Sequence, residues 1–129
     1  MRRELKRILY VEDDGDIRTV TAMALEAVGG FTVVSCDSGK EALAMAPDAN
    51  ADLILLDVMM PGMDGLATLS ALRGLSQTVD TPVIFMTAKV QASEIQHYMR
   101  LGATDVIAKP FDPMTLSAQI DEIWQKVAG

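Results

Sequence analysis

The sequence predicts a doubly wound α/β fold: a (βα)5 sandwich of three layers around a five-stranded parallel sheet. Three observations predict it. Five short apolar runs alternate with five segments of helical periodicity. The runs are continuous rather than alternately polar and apolar, as in strands buried on both faces. Half of the 129 residues are apolar, enough for one sizeable core. A single domain over 1–129 is expected, with its core at about 7–127.

The first strand is read at Arg7-Ile-Leu-Tyr-Val11. A helix follows, opening near Asp14 and stopping at Gly29-Gly30, with Ile17, Val20, Ala24 and Val28 on one apolar face. Phe31 to Cys36 is the second strand. Gly39 to Met45 is a short helix, with Ser38 as N-cap and Pro47 beyond its end. Leu53 to Leu56 is the third strand, and Leu66, Leu69 and Leu72 mark a helix from Asp64 to Gly74. Val83 to Met86 is the fourth strand, followed by a helix marked by Ile95, Tyr98 and Met99 and closed by Gly102. Asp105 to Ala108 is the fifth strand, and Leu116, Ile120, Ile123, Trp124 and Val127 mark the last helix. Right-handed crossovers between parallel strands put helices on both faces of the sheet.

Composition narrows the function. Net charge is −7, and four of the basic residues (Arg2, Arg3, Lys6, Arg7) lie in the first seven positions. The acidic body repels a phosphate backbone, so no direct nucleic-acid partner is expected. The basic start reads as a solvated lead-in to the first strand, with a partner-binding arm as the alternative. One cysteine, Cys36, excludes a disulfide framework, and one histidine, His97, excludes a multi-histidine metal site. No apolar run reaches the roughly 18 residues of a membrane span, and the start does not read as a signal peptide. No membrane association and a cytoplasmic address are expected.

In such folds functional groups collect beyond the carboxyl ends of the strands. Glu12-Asp13-Asp14 follow the first strand, Asp57 the third, Thr87-Ala88 the fourth and Lys109-Pro110 the fifth. Carboxylates meeting at one sheet edge repel one another or recruit a cation. With no histidine or cysteine beside them, they select a hard ion, Mg²⁺, with Mn²⁺ as an alternative. Mg²⁺ takes few carboxylates and leaves positions for phosphate oxygens. Lys109 adds a point charge suited to phosphate, and Thr87 a hydroxyl donor. Such a set stabilises a phosphoryl group in transfer, with an aspartate as acceptor.

On these residues the chain resembles the receiver domain of two-component response regulators, with the flavodoxin-like topology of the chemotaxis-type single-domain members. The motifs are Ile8-Leu-Tyr-Val-Glu-Asp-Asp14, Leu55-Leu-Asp-Val-Met-Met-Pro-Gly-Met-Asp-Gly65, Met86-Thr-Ala88 and Lys109-Pro-Phe111. The resemblance implies a module that accepts a phosphoryl group from a histidine kinase's phosphohistidine and then changes its protein partners. Asp57 would be the phosphoacceptor. Asp13 would bind Mg²⁺ directly, Glu12 mostly through water, and the Met59 backbone carbonyl would be a further ligand beside Asp57. Thr87 would bond a phosphoryl oxygen, and Lys109 would pair with Asp57 or its phosphate. The Lys109–Pro110 bond would be cis. The implied partners are a histidine kinase or phosphotransfer protein upstream and a target protein or effector domain downstream. A relay intermediate, or a receiver cut from a longer regulator or hybrid kinase, is the alternative reading.

Three positions qualify the pattern. The family usually carries an aromatic residue where this chain has Val106, so the usual threonine–aromatic switch cannot operate as such. Met59 and Lys89 occupy the positions through which the family sets phosphoryl lifetime. A partner would read the face of the fourth helix, fifth strand and fifth helix, including Tyr98 and the Trp124 end. Met59, Met60 and Met63 read as loop packing, His97 as a surface residue and Cys36 as an inert buried thiol.

Two other classes compete. A Mg²⁺-dependent phosphohydrolase with an aspartyl-phosphate intermediate commonly has a second acid two residues past the nucleophile, where this chain has Met59. A flavodoxin-like cofactor binder would need a hydroxyl- and glycine-rich loop after the first strand, where Glu12-Asp13-Asp14 would repel a flavin phosphate.

Overall fold

A computed structural model describes residues 4–128, without the side chain of Ala128. Arg2 and Arg3 of the basic start lie outside the described residues, whereas the Arg7 Nε donates to the Ala49 carbonyl at 2.9 Å. The elements are β1 (Arg7–Val11), α1 (Gly15–Ala27), β2 (Thr32–Cys36), α2 (Gly39–Ala49) and β3 (Leu53–Asp57), then α3 (Gly65–Leu72), β4 (Val83–Thr87), α4 (Ala92–Arg100), β5 (Asp105–Ala108) and α5 (Pro113–Ala128). All pairings are parallel, in the order β2-β1-β3-β4-β5. The alternating (βα)5 chain is thus doubly wound, as expected.

The pleat divides the core in two. Leu9, Val11, Ile54, Leu56, Val83 and Phe85 face one side, packed with Ala42, Ala46, Leu69, Leu72 and Tyr98 from α2, α3 and α4. Ile8, Tyr10, Leu53, Leu55, Ile84 and Met86 face the other, packed with Leu25, Leu116, Ile120 and Trp124 from α1 and α5. Period-two alternation of side chains about one sheet makes both cores from the same strands. Three helices begin on side-chain caps: Asp14 accepts from Asp16 and Ile17, Ser38 from Glu41, and Asp64 from Ala67.

The structure departs from the sequence reading in three places. α2 runs through Pro47 to Ala49 instead of ending at Met45, and stops at Asn50, whose φ of 50° is left-handed. Proline removes one backbone donor in the last turn, and burial of Ala46 and Ala49 against the core offsets the loss. On α1 the stripe of Ile17, Val20 and Val28 faces solvent, while Thr21, Ala24 and Leu25 are buried. Tyr98 and Trp124 point into the two cores, 4% and 1% exposed, so neither belongs to an outward partner face.

Candidate functional site

β1 and β3 are neighbours in the sheet, while α1 and α3, which follow them, pack on opposite faces. Their carboxyl ends therefore open a crevice at the point where the winding reverses. Glu12 continues β1 by donating its N–H to the Cys36 carbonyl at 3.0 Å. Asp57 is the last residue of β3, and Thr87 of β4. Val58 N–H bonds the Met86 carbonyl at 3.1 Å, and Gly65 N–H the Val58 carbonyl at 2.9 Å, folding the β3–α3 loop back against the strand. That approach requires glycine: a Cβ on Gly65 would lie 2.4 Å from the Asp57 carbonyl oxygen and 2.7 Å from Val58 Cα.

Glu12, Asp13 and Asp57 converge, each offering a carboxylate oxygen within 4.8 Å of the others. Glu12 and Asp57 are buried and Asp13 is exposed, so the cluster opens to water on one side. Lys109 faces it from the end of β5, its Nζ 2.7 Å from Glu12 Oε1 and 3.1 Å from Asp57 Oδ1. Burial, then the facing Glu12 carboxyl, drives Asp57 up to about 7, against the opposing pull of Lys109. Burial alone would lower the Lys109 ammonium. The Glu12 hydrogen bond and the charges of Asp57 and Glu12 outweigh it, the net shift is upward, and Lys109 stays charged. Three carboxylates against one ammonium, with no sulfur or imidazole beside them, fit a hard divalent cation.

Thr87 is buried, and its Oγ1 accepts the Lys89 N–H at 3.0 Å. Its carbonyl accepts the Lys109 N–H at 2.9 Å, so the fourth and fifth strand ends are joined beside the acidic cluster. The Lys109–Pro110 peptide is cis, as the resemblance implied. Met59 lies in the loop beyond Asp57, 57% exposed. His97 is exposed on α4. Cys36 is buried, its thiol pushed up to about 12 by burial first and then by Glu41 and Asp37, which leaves it inert.

Two features went unread in the sequence. Arg18, one turn into α1, donates from Nη1 to the Glu12 carbonyl at 2.8 Å and to the Asp13 carbonyl at 3.4 Å, holding the acidic loop in place. Its acceptors are main-chain carbonyls ahead of the helix, so no spacing of charged side chains signals the contact. The other is an apolar groove of about 520 Å³ beside Lys109, lined by Ile17, Val20, Phe111 and Pro113. It accounts for Ile17 and Val20 of the outward stripe on α1, whereas Val28 lines a separate hollow with Phe31 and Trp124. Among the described residues no helix is long and apolar enough to cross a membrane.

Residues 8–121 match the family described as the response regulator receiver domain. The chain is 36% identical over 121 residues to the phosphate regulon transcriptional regulatory protein PhoB of Pseudomonas aeruginosa, covering 94% of this chain and 52% of that protein. It is 39% identical over 122 residues to the transcriptional regulatory protein CpxR of Escherichia coli, covering 95% and 50%. The chain thus spans about half the length of the curated relatives it matches. Among solved structures, the chemotaxis protein CheY4 of Vibrio cholerae superposes with a TM-score of 0.85 at 33% identity, over 93% of this chain and 99% of that one. The receiver domain of a signal transduction histidine kinase from Syntrophus aciditrophicus superposes with a TM-score of 0.79 at 30% identity, over 95% and 92%. By the family match over residues 8–121 and the likeness to solved receivers, the chain belongs to the receiver domains of two-component response regulators.

Proposed function

We propose that this receiver takes a phosphoryl group onto Asp57 from the phosphohistidine of a histidine kinase or phosphotransfer protein, and that the modification changes which protein it binds. The observation that carries the reading is the buried Asp57 carboxylate, 3.1 Å from Lys109 and within the three-carboxylate cluster. An Asp57 oxygen attacks phosphorus, the P–N bond to the donor imidazole breaks, and the nitrogen keeps the electron pair. Lys109 Nζ holds the attacking carboxylate now and one of its phosphoryl oxygens afterwards. Thr87 turns its hydroxyl to a second phosphoryl oxygen. Arg18 keeps the Glu12–Asp13 main chain fixed throughout. Asp13 and Asp57 with the Met59 carbonyl, and Glu12 mostly through water, would hold Mg²⁺ or Mn²⁺, which would supply positive charge against the transferring phosphoryl group.

The apolar groove next to Lys109 supports a protein donor, since a small phosphate ester has no use for Ile17, Val20 and Phe111. Met59 stands where an aspartyl-phosphate hydrolase would have its second acid, which favours a signalling module that assists its own modification over an enzyme acting on metabolites. The reading places the protein in the cytoplasm, where kinases of this class hold their phosphohistidine. A downstream effector, as a separate protein or a linked domain, would answer to the phosphorylated state.

Incubation with phosphoramidate and Mg²⁺ should give one base-labile phosphoryl adduct, located at Asp57 by mass spectrometry and absent from Asp57→Asn. Undiminished labelling of Asp57→Asn would overturn the assignment.

A further inference from the structure

We infer that Tyr98, reaching inward from α4, is the residue that ties Thr87 to that helix, in a chain whose fifth strand offers only Val106. The inference rests on the phosphoacceptor reading above and concerns how the mark leaves the site.

The Lys89 main chain is held at both ends. Its N–H donates to Thr87 Oγ1 at 3.0 Å, and its carbonyl accepts from the Tyr98 hydroxyl at 3.2 Å. The Lys89 residue is thus suspended between a buried hydroxyl at the site and an aromatic side chain of α4. The Tyr98 ring is fixed independently. It is 4% exposed and stands edge-on to Phe85, with centroids 5.5 Å apart and planes at 77°. Phe85 is the register partner of Val106 on β5, and Val106 packs against the same core. Val106 brings no ring to this core, and the ring beside Phe85 comes from α4. Edge-to-face aromatic packing resists sliding, so the ring and its helix move together.

Once the Thr87 hydroxyl turns toward a phosphoryl oxygen, the Lys89 N–H no longer has the acceptor it had. The Lys89 main chain then reorients, and the Tyr98 hydroxyl bound to its carbonyl passes that movement to α4. Tyr98 touches no reacting atom; it is a positioning residue, and its effect is felt on α4 and not in the carboxylate pocket.

The test uses the full chain, ¹⁵N-labelled, with Mg²⁺ and beryllofluoride as a phosphoryl mimic. In the wild type, amide shifts are expected at Asp57, Thr87 and Lys109 and across Ala92–Arg100. Tyr98→Phe keeps the buried ring and removes only the hydroxyl. It should keep the shifts in the pocket, while those over Ala92–Arg100 fall to the level of α2. Equal α4 shifts in Tyr98→Phe would overturn the coupling. So would a wild type that responds in the pocket and not in α4, leaving the phosphoacceptor reading intact. A wild type with no response at Asp57 would overturn that reading, and the coupling with it.

Discussion

Lys109 and Glu12 stand 97 positions apart in the chain, yet Lys109 Nζ lies closer to Glu12 Oε1, at 2.7 Å, than to Asp57 Oδ1, at 3.1 Å. The lysine is shared, and its tighter partner is not the carboxylate expected to react. Glu12 therefore positions Lys109 over Asp57 before any phosphoryl group arrives. Lys109→Ala leaves two buried carboxylates facing each other. It should destabilise the metal-free protein by about 3 kcal/mol, the low end for breaking a buried pair, because Lys109 keeps 22% exposure. Urea unfolding in EDTA measures this, and saturating Mg²⁺ should shrink the deficit. Phosphorylation of Lys109→Ala should continue more slowly, without the partner-binding response; a full response would refute the role.

Asp13 separates metal binding from folding, because it belongs to the cluster yet is exposed. Mg²⁺ at one hundred times its Kd should stabilise the wild type by about 2.7 kcal/mol. Asp13→Ala should lose that gain and, without metal, unfold no earlier than wild type. Thermal melts of both proteins with Mg²⁺ and with EDTA decide it, and equal Mg²⁺ stabilisation would count against the assignment.

The raised Asp57 pKa sets a pH dependence opposite to that of most aspartates. Folded Asp57 holds its proton up to about 7, whereas the unfolded residue releases it near 3.8. Between those values the folded state binds more protons, so this contribution is complete below 3.8 and is lost as pH rises through about 7. Metal-free wild type should lose stability relative to Asp57→Asn across that window. Mg²⁺ affinity should rise over the same range, since the cation competes with the proton. Urea midpoints in EDTA at stepped pH, paired with Mg²⁺ titrations, test both signs.

Gly65→Ala should act on the site from behind. Its Cβ would meet backbone atoms of Asp57 and Val58, which cannot swing aside as a side-chain end can. The expected loss is about 1–3 kcal/mol, as for other overpacked positions, with slower labelling of Asp57. Unfolding and phosphoramidate labelling of the variant measure the two effects. Normal labelling at wild-type stability would show that the loop yields freely.

Four of the five strand ends were legible because each carries its candidate residue at the close of an apolar run, and parallel winding brings the carboxyl ends to one edge. Glu12, Asp13, Asp57 and Lys109 meet there as the sequence suggested. The helices were less legible. On α1 two overlapping stripes share Ala24, and the buried one runs through Thr21, a residue that reads as polar. Ile17 and Val20 looked like core and instead line a groove. At Pro47 a local breaker competes with burial of Ala46 and Ala49, and only tertiary packing decides between them. Tyr98 was read both in the apolar stripe of α4, where its burial puts it, and on a partner-facing surface, from which its ring turns away.

The sheet that separates the two cores also makes them independent targets for redesign. Ile8 and Tyr10 never share a neighbouring helix with Leu9 and Val11, although the four alternate along one strand. A cavity opened beside Trp124 cannot be filled by a side chain from α2 or α3, and an overfilled layer beneath Tyr98 cannot relax toward α5. Volume changes on opposite sides should therefore add in free energy, while those on one side should not. The α1–α5 half could be repacked for heat resistance while the half that holds Phe85 and Tyr98 keeps its native sequence.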